Sequence, residues 1–174
     1  MKKHSQHTLV CILLLLAVAA AQTAGGKGAA LVSDQRLKQL LPATVFLDGE
    51  NVPTQDRNAA LLQLSNGKLF LASLIDTSGY SSAYQEKYSG VLLLQTGITI
   101  GSKSLEPGAY AIGQTKNGED VTLCVYDIGG NRLAALSMQR QDNLRPLKPL
   151  QIVVAEDGSV RLYLGRYGVS IAAR

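Results

Sequence analysis

The chain of 174 residues is 46% hydrophobic and 17% charged, enough apolar material for a buried core, and its formal net charge is +4. Beyond position 21 there remain 15 basic against 13 acidic residues, a net +2, which gives no electrostatic case for nucleic acid as a partner. Both histidines, His4 and His7, also precede that point, so the remainder lacks Ser-His and Cys-His nucleophile pairs and every histidine metal site.

The opening MKKHSQHTLVCILLLLAVAAAQTAGG places Lys2 and Lys3 before an apolar run from Thr8 to Ala21, followed by small residues. That order predicts a secretory signal peptide over residues 1–21 with cleavage after Ala21, and a chain that is exported, periplasmic or extracellular. The apolar run is shorter than the ~20 residues of a spanning helix, and no second run follows, so no membrane span is expected in the mature form. Cys11 lacks the preceding small residue that lipid attachment requires and leaves with this segment. Cys124 then stands alone, and no intramolecular disulfide is available to the mature chain.

Residues 22–32 read as a disordered Gly/Ala-rich linker. Their glycines match neither the dinucleotide-binding nor the P-loop spacing. Residues 33–174 read as a single domain, of a size that buries roughly 68–70% of its unfolded surface. SDQRLKQLLP predicts a short helix capped by Ser33 or Asp34 and stopped at Pro42, with Leu37, Leu40 and Leu41 on one face.

From Ala43 onward apolar stretches alternate with tight-turn signals, three of them Asn66-Gly67, Asn117-Gly118 and Asp157-Gly158. Read as two-residue turns, they pair Leu64 with Leu69, Ile112 with Leu123, and Val153 with Leu162. The second hairpin then has a large apolar face including Tyr110 and Val125. Its other face carries Ala109, Ala111, Gly113 and Cys124, small enough for another backbone element to approach closely. Cys124 is a filler in this reading, because nothing adjacent supplies the cationic surroundings of a reactive thiol. In ITIGSKSLEPGAYAIGQ, Glu106-Pro107-Gly108-Ala109 predicts a type II turn, and each residue has a structural task. Nine or ten short strands, without strand-helix-strand alternation, predict a mainly β fold: a single antiparallel β-sandwich with a short N-terminal helix, the alternative being a small barrel.

The block ITIGSKSLEPGAYAIG resembles the isoleucine-strand, Leu-x-Pro-Gly-x-Tyr element of exported bacterial β-sandwich modules. Together with LPATVFLDGENVPTQDRNAA, SLIDTSGYSSAYQEKYSGVL, RPLKPLQIVV and GSVRLYLGRYGVSI, it is similar to an uncharacterised family of small exported bacterial proteins. The resemblance implies export and a β-rich fold, and assigns no activity or site. Cys124 is not part of its pattern.

The most site-like segment is LIDTSGYSSAYQEKYSG, residues 74–90. Ser82 and Gln85 can form a capping box for a helical turn that ends by Gly90. Asp76, Tyr80, Tyr84 and Tyr88 are the binding candidates, with Tyr84 and Tyr88 on one face and Tyr80 before the helix; packing of the tyrosines onto the sheet is the competing reading. Arg161, Tyr163, Arg166 and Tyr167 form a second candidate that suits an anionic sugar or a phosphate, against ordinary cross-strand pairing. Ser65 and Lys68 spell Ser-x-x-Lys, but in a hairpin turn rather than at a helix start. Asp48 and Glu50 offer half of a carboxylate pair. No metal site, catalytic residue or cofactor is expected. The sequence therefore predicts a non-catalytic cell-envelope binding or structural module, its partner an envelope glycan, peptide or protein. A carboxylate-based hydrolase and a protein-protein interaction module are the alternatives.

Overall fold

The computed structural model describes residues 28–174; the expected signal peptide and residues 22–27 lie outside them. In chain order the elements are β1 (Ala30–Leu31), α1 (Asp34–Leu40), β2 (Thr44–Leu47), β3 (Glu50–Gln63), β4 (Leu69–Ile75), α2 (Ser82–Lys87), β5 (Gly90–Leu94) and β6 (Ile98–Ile100). They continue with β7 (Lys103–Leu105), β8 (Gly108–Asn117), β9 (Asp120–Tyr126), β10 (Arg132–Ser137), β11 (Gln139–Arg140), β12 (Leu150–Val154), β13 (Val160–Leu164) and β14 (Tyr167–Ala173). The larger sheet runs β1-β3-β4-β5-β8-β9-β10, with β2 on β3, and the smaller runs β12-β13-β14-β6-β7, with β11 on β14. Every pairing is antiparallel and the two sheets do not close into a barrel, so the fold is the sandwich.

Alternating positions of both sheets meet in one core. Leu62, Phe70, Leu92, Ile112 and Leu123 of the larger sheet share it with Ile98, Ile100, Leu150 and Leu162 of the smaller. The Pro107-Gly108 corner carries the chain from the smaller sheet to the larger. It is not a type II turn: Gly108 has φ +153° and pairs with Leu94 in β8, and Glu106 O accepts instead from the Tyr110 hydroxyl at 2.8 Å.

The outer face of the larger sheet is covered twice. Near one end α1, capped by Ser33, lays Leu37 on Leu61 and Leu71. Elsewhere α2 and the β2–β3 hairpin cover Val91, Ala111, Cys124 and Tyr126. The small residues expected to admit a close neighbour do so: a Cβ at Gly113 would lie 2.0 Å from the Lys87 carbonyl oxygen, so only glycine lets the end of α2 sit there. Among the described residues no helix is long and apolar enough to cross a membrane.

Three expected registers differ. At Asn66-Gly67 and Asp157-Gly158 the loops hold three residues, not two, each ending in a glycine with positive φ (Gly67 +78°, Gly158 +81°). Leu62 therefore pairs with Phe70 rather than Leu71, and Val153 with Arg161 rather than Leu162. That one-residue slip moves side chains to the other face: Leu69 and Leu71 join Leu61 on the side of α1, and Val153 faces away from the core. At the third hairpin the two-residue loop is Gly118-Glu119, so Ile112 pairs with Val125; a shift of two leaves the faces as expected. The end of the expected 22–32 linker is also ordered, because Ala30 and Leu31 pair with Gln63 and Leu62, and Val32 N–H donates to Leu61 O.

Candidate functional site

The tyrosine segment is held by a turn the sequence reading passed over. Asp48 and Gly49 both have positive φ (+52° and +87°) and join Leu47 to Glu50 as a two-residue loop, which folds β2 back on β3 beside α2. Ser81, not Ser82, caps α2, accepting from Tyr84 N–H. Gln85 closes no capping box; its amide donates to Tyr80 O at 2.8 Å.

Tyr80 precedes the helix as expected, yet its ring stacks on Tyr84 at 5.0 Å between centroids. Tyr84 meets Tyr88 edge-on at 4.7 Å, and Tyr88 meets Tyr126 edge-on at 5.3 Å. The four rings form a ladder whose hydroxyls along the hairpin are engaged. Tyr80 donates to Asn51 O (2.7 Å), Tyr84 to Leu47 O (2.9 Å) and Tyr88 to Asp48 Oδ2 (2.8 Å). Lys87 pairs with the same carboxylate at 3.3 Å and lies 4.8 Å from the Tyr88 ring centroid. The Tyr88 hydrogen bond and the Lys87 ammonium hold the Asp48 carboxyl below the usual range. Burial pushes the Tyr84 and Tyr88 hydroxyls well above theirs. Tyr88 is only 1% exposed.

Asp76 does not join this group. It is exposed, and its Oδ1 accepts from Ser78 N–H at 3.0 Å, closing its own turn and lowering its pKa. The carboxylate that meets the tyrosines is Asp48, brought there by the Asp48-Gly49 loop.

The arginine-tyrosine group divides. Arg161 and Tyr163 alternate on β13 and face away from the core. Tyr167 follows the two-residue loop Gly165-Arg166, pairs with Leu164 and packs against the core side instead, with Lys116 5.7 Å from its ring centroid. Arg166 donates to Asp142 O at 2.9 Å from the loop. Tyr163 leans over Gly168, its cross-strand partner, where a Cβ would meet the ring at 2.5 Å.

Beside Tyr163 lies a hollow of about 290 Å³ walled by Gln139, Arg140, Ser159 and Arg161, with Val153 and Ala155 at its back. Arg140 and Arg161 are among its lining residues, and no acidic residue is. Arg161 donates to Gln139 Oε1 at 2.8 Å, and Arg140 pairs with Asp142 at 2.8 Å. The arrangement offers charged donors, hydroxyls and an aromatic edge to a small anion.

An antiparallel two-sheet sandwich with one aromatic ladder and one cationic hollow is therefore the class that the fold and its surfaces define. No protein-family model, no curated protein and no solved structure matches the chain.

Proposed function

We propose that the chain is an exported, non-catalytic binding module of the cell envelope, periplasmic or extracellular, which holds an anionic group of an envelope glycan on the open face of its smaller sheet. The observation that supports this reading is the hollow beside Tyr163, whose lining residues include Arg140 and Arg161 and no acidic residue. The order of the N-terminal residues supports export. The tyrosine ladder takes the structural part, since its hydroxyls already serve the β2–β3 hairpin.

The test is thermal unfolding of the protein with acidic oligosaccharides, their neutral counterparts and inorganic phosphate. A ligand at 100 times its Kd adds about 2.7 kcal/mol, or roughly 5–10 °C for a domain of this size. The expected result is a shift with the acidic glycans that disappears in Arg161→Ala. No shift with any anion, or a shift that survives Arg161→Ala, overturns the assignment. A shift with phosphate alone would replace the glycan by a phosphate ligand.

A further inference from the structure

A larger concavity lies elsewhere, in a cleft of about 690 Å³ between the N-terminal elements, the kinked middle of β3 and the outer edge of β12. Its apolar surface includes Leu37, Leu61, Leu150 and Ile152. All five residues of β12 line it, and β12 ends the smaller sheet with only β13 bonded to it. Ala155 N–H donates to Ser159 O, and Gly165 N–H to Pro149 O. By the alternation of an antiparallel ladder, Leu150, Ile152 and Val154 therefore turn their N–H and C=O groups to the free edge. β3 is open opposite: between Thr54 and Ala59 its ladder with β4 is interrupted, and Asp56 and Arg57 stand out at the rim.

Free strand edges invite another strand, and exposed ones are usually blunted by charge or proline. The β12 stretch Leu-Gln-Ile-Val-Val contains neither. Around it the rim carries four cations, Lys38, Arg57, Arg145 and Lys148, against Asp34 and Asp56. None of the four has a carboxylate within ion-pair distance among the described residues, and residues 1–27 contain no Asp or Glu. That segment, which carries Lys27 toward β1, is mismatched in charge with the cleft.

The geometry points to a peptide-binding groove: an extended acidic polypeptide segment adds as a strand along β12 and sets its carboxylates against Lys38, Arg57, Arg145 and Lys148. Main-chain bonds supply affinity in this mode, and the charged rim supplies selection. Five β12 residues span about 17 Å, so the segment needs about five residues in extended form. This goes beyond the anion site beside Tyr163, and Arg161→Ala leaves it intact.

The test uses a fluorescent eight-residue peptide alternating valine and glutamate, titrated into the protein at low and high salt, with amide hydrogen exchange read on Leu150, Ile152 and Val154. Binding weakened by salt, slowed exchange at β12, and at least a tenfold loss in an Arg57→Glu, Lys148→Glu variant are expected. Val154→Pro, which removes a free-edge N–H at a position an edge strand tolerates, also weakens binding, with its thermal unfolding as the check on folding. The proposal fails if the peptide does not bind, if a valine-lysine peptide binds equally well, or if a peptide N-methylated at alternate residues does. It fails too if the Leu150, Ile152 and Val154 amides are already slow without peptide, the signature of the chain's own N-terminal segment or a second copy occupying the edge.

Discussion

The tyrosine ladder on the outer face of the larger sheet and Tyr163 on the outer face of the smaller differ in what their polar atoms are doing. On the larger sheet Tyr80, Tyr84 and Tyr88 stack on one another, and each hydroxyl donates to the β2–β3 hairpin. On the smaller sheet Tyr163, at 6% exposure, has no hydrogen bond from its hydroxyl among the described residues; it borders a hollow without an acidic lining residue, while the nearby Arg161 and Arg140 are engaged by Gln139 and Asp142. Aromatic clustering alone does not distinguish a site from a scaffold. What separates them is whether the polar groups have already been used to close the fold.

The sharpest way to break that contrast is truncation. Tyr88→Ala removes a ring in contact with Tyr84, Tyr126 and Asp48 from a nearly closed environment, and is expected to cost about 3–5 kcal/mol. Urea unfolding measures it; a loss under about 1 kcal/mol would mean that the ladder is not holding α2 to the sheet.

The fold class was legible because period-two alternation survives errors of register. Loop length was not legible, because Asn-Gly and Asp-Gly serve both a two-residue loop and the last two places of a three-residue one, where the glycine takes the left-handed conformation. Leu71 and Val153 changed faces for that reason alone. The tyrosine segment was legible as a cluster, since three rings at four-residue spacing stay close even when the helix covers only part of them. Its acidic partner was not: Asp48 comes from a hairpin 40 residues before Tyr88, and Asp76, close in sequence, spends its carboxylate on its own turn. The second cluster was half legible. Tyr163 and Tyr167 would share a face in an unbroken strand, but the Gly165-Arg166 loop intervenes and reverses Tyr167 onto the side of Leu164.

A second effect follows from titration. Burial raises the Tyr84 and Tyr88 hydroxyls above their ordinary value of 10.0. Above about pH 10 the unfolded chain releases these protons while the folded protein keeps them, so the folded state binds more protons and stability falls as pH rises. The contribution is intact below pH 10, and its loss has a slope of up to ~1.4 kcal/mol per pH unit for each tyrosine. Denaturation at pH 9, 10 and 11 should show this limb, reduced in the double variant Tyr84→Phe, Tyr88→Phe. A limb of the same slope in that variant would place its origin outside Tyr84 and Tyr88.

The smallest expected effect is the most discriminating. Tyr88→Phe loses a hydrogen bond to a carboxylate that Lys87 also holds, and is expected to cost about 1 kcal/mol. Tyr163→Phe loses no bond within the protein and is expected to change stability by under about 0.5 kcal/mol, because its ring still leans on Gly168. If the two hydroxyl deletions cost the same, the Tyr163 hydroxyl is part of the scaffold and the contrast between the faces collapses. If only Tyr88→Phe is destabilising, then a ligand-induced shift that Tyr163→Phe diminishes without touching stability identifies a hydroxyl kept free for a partner.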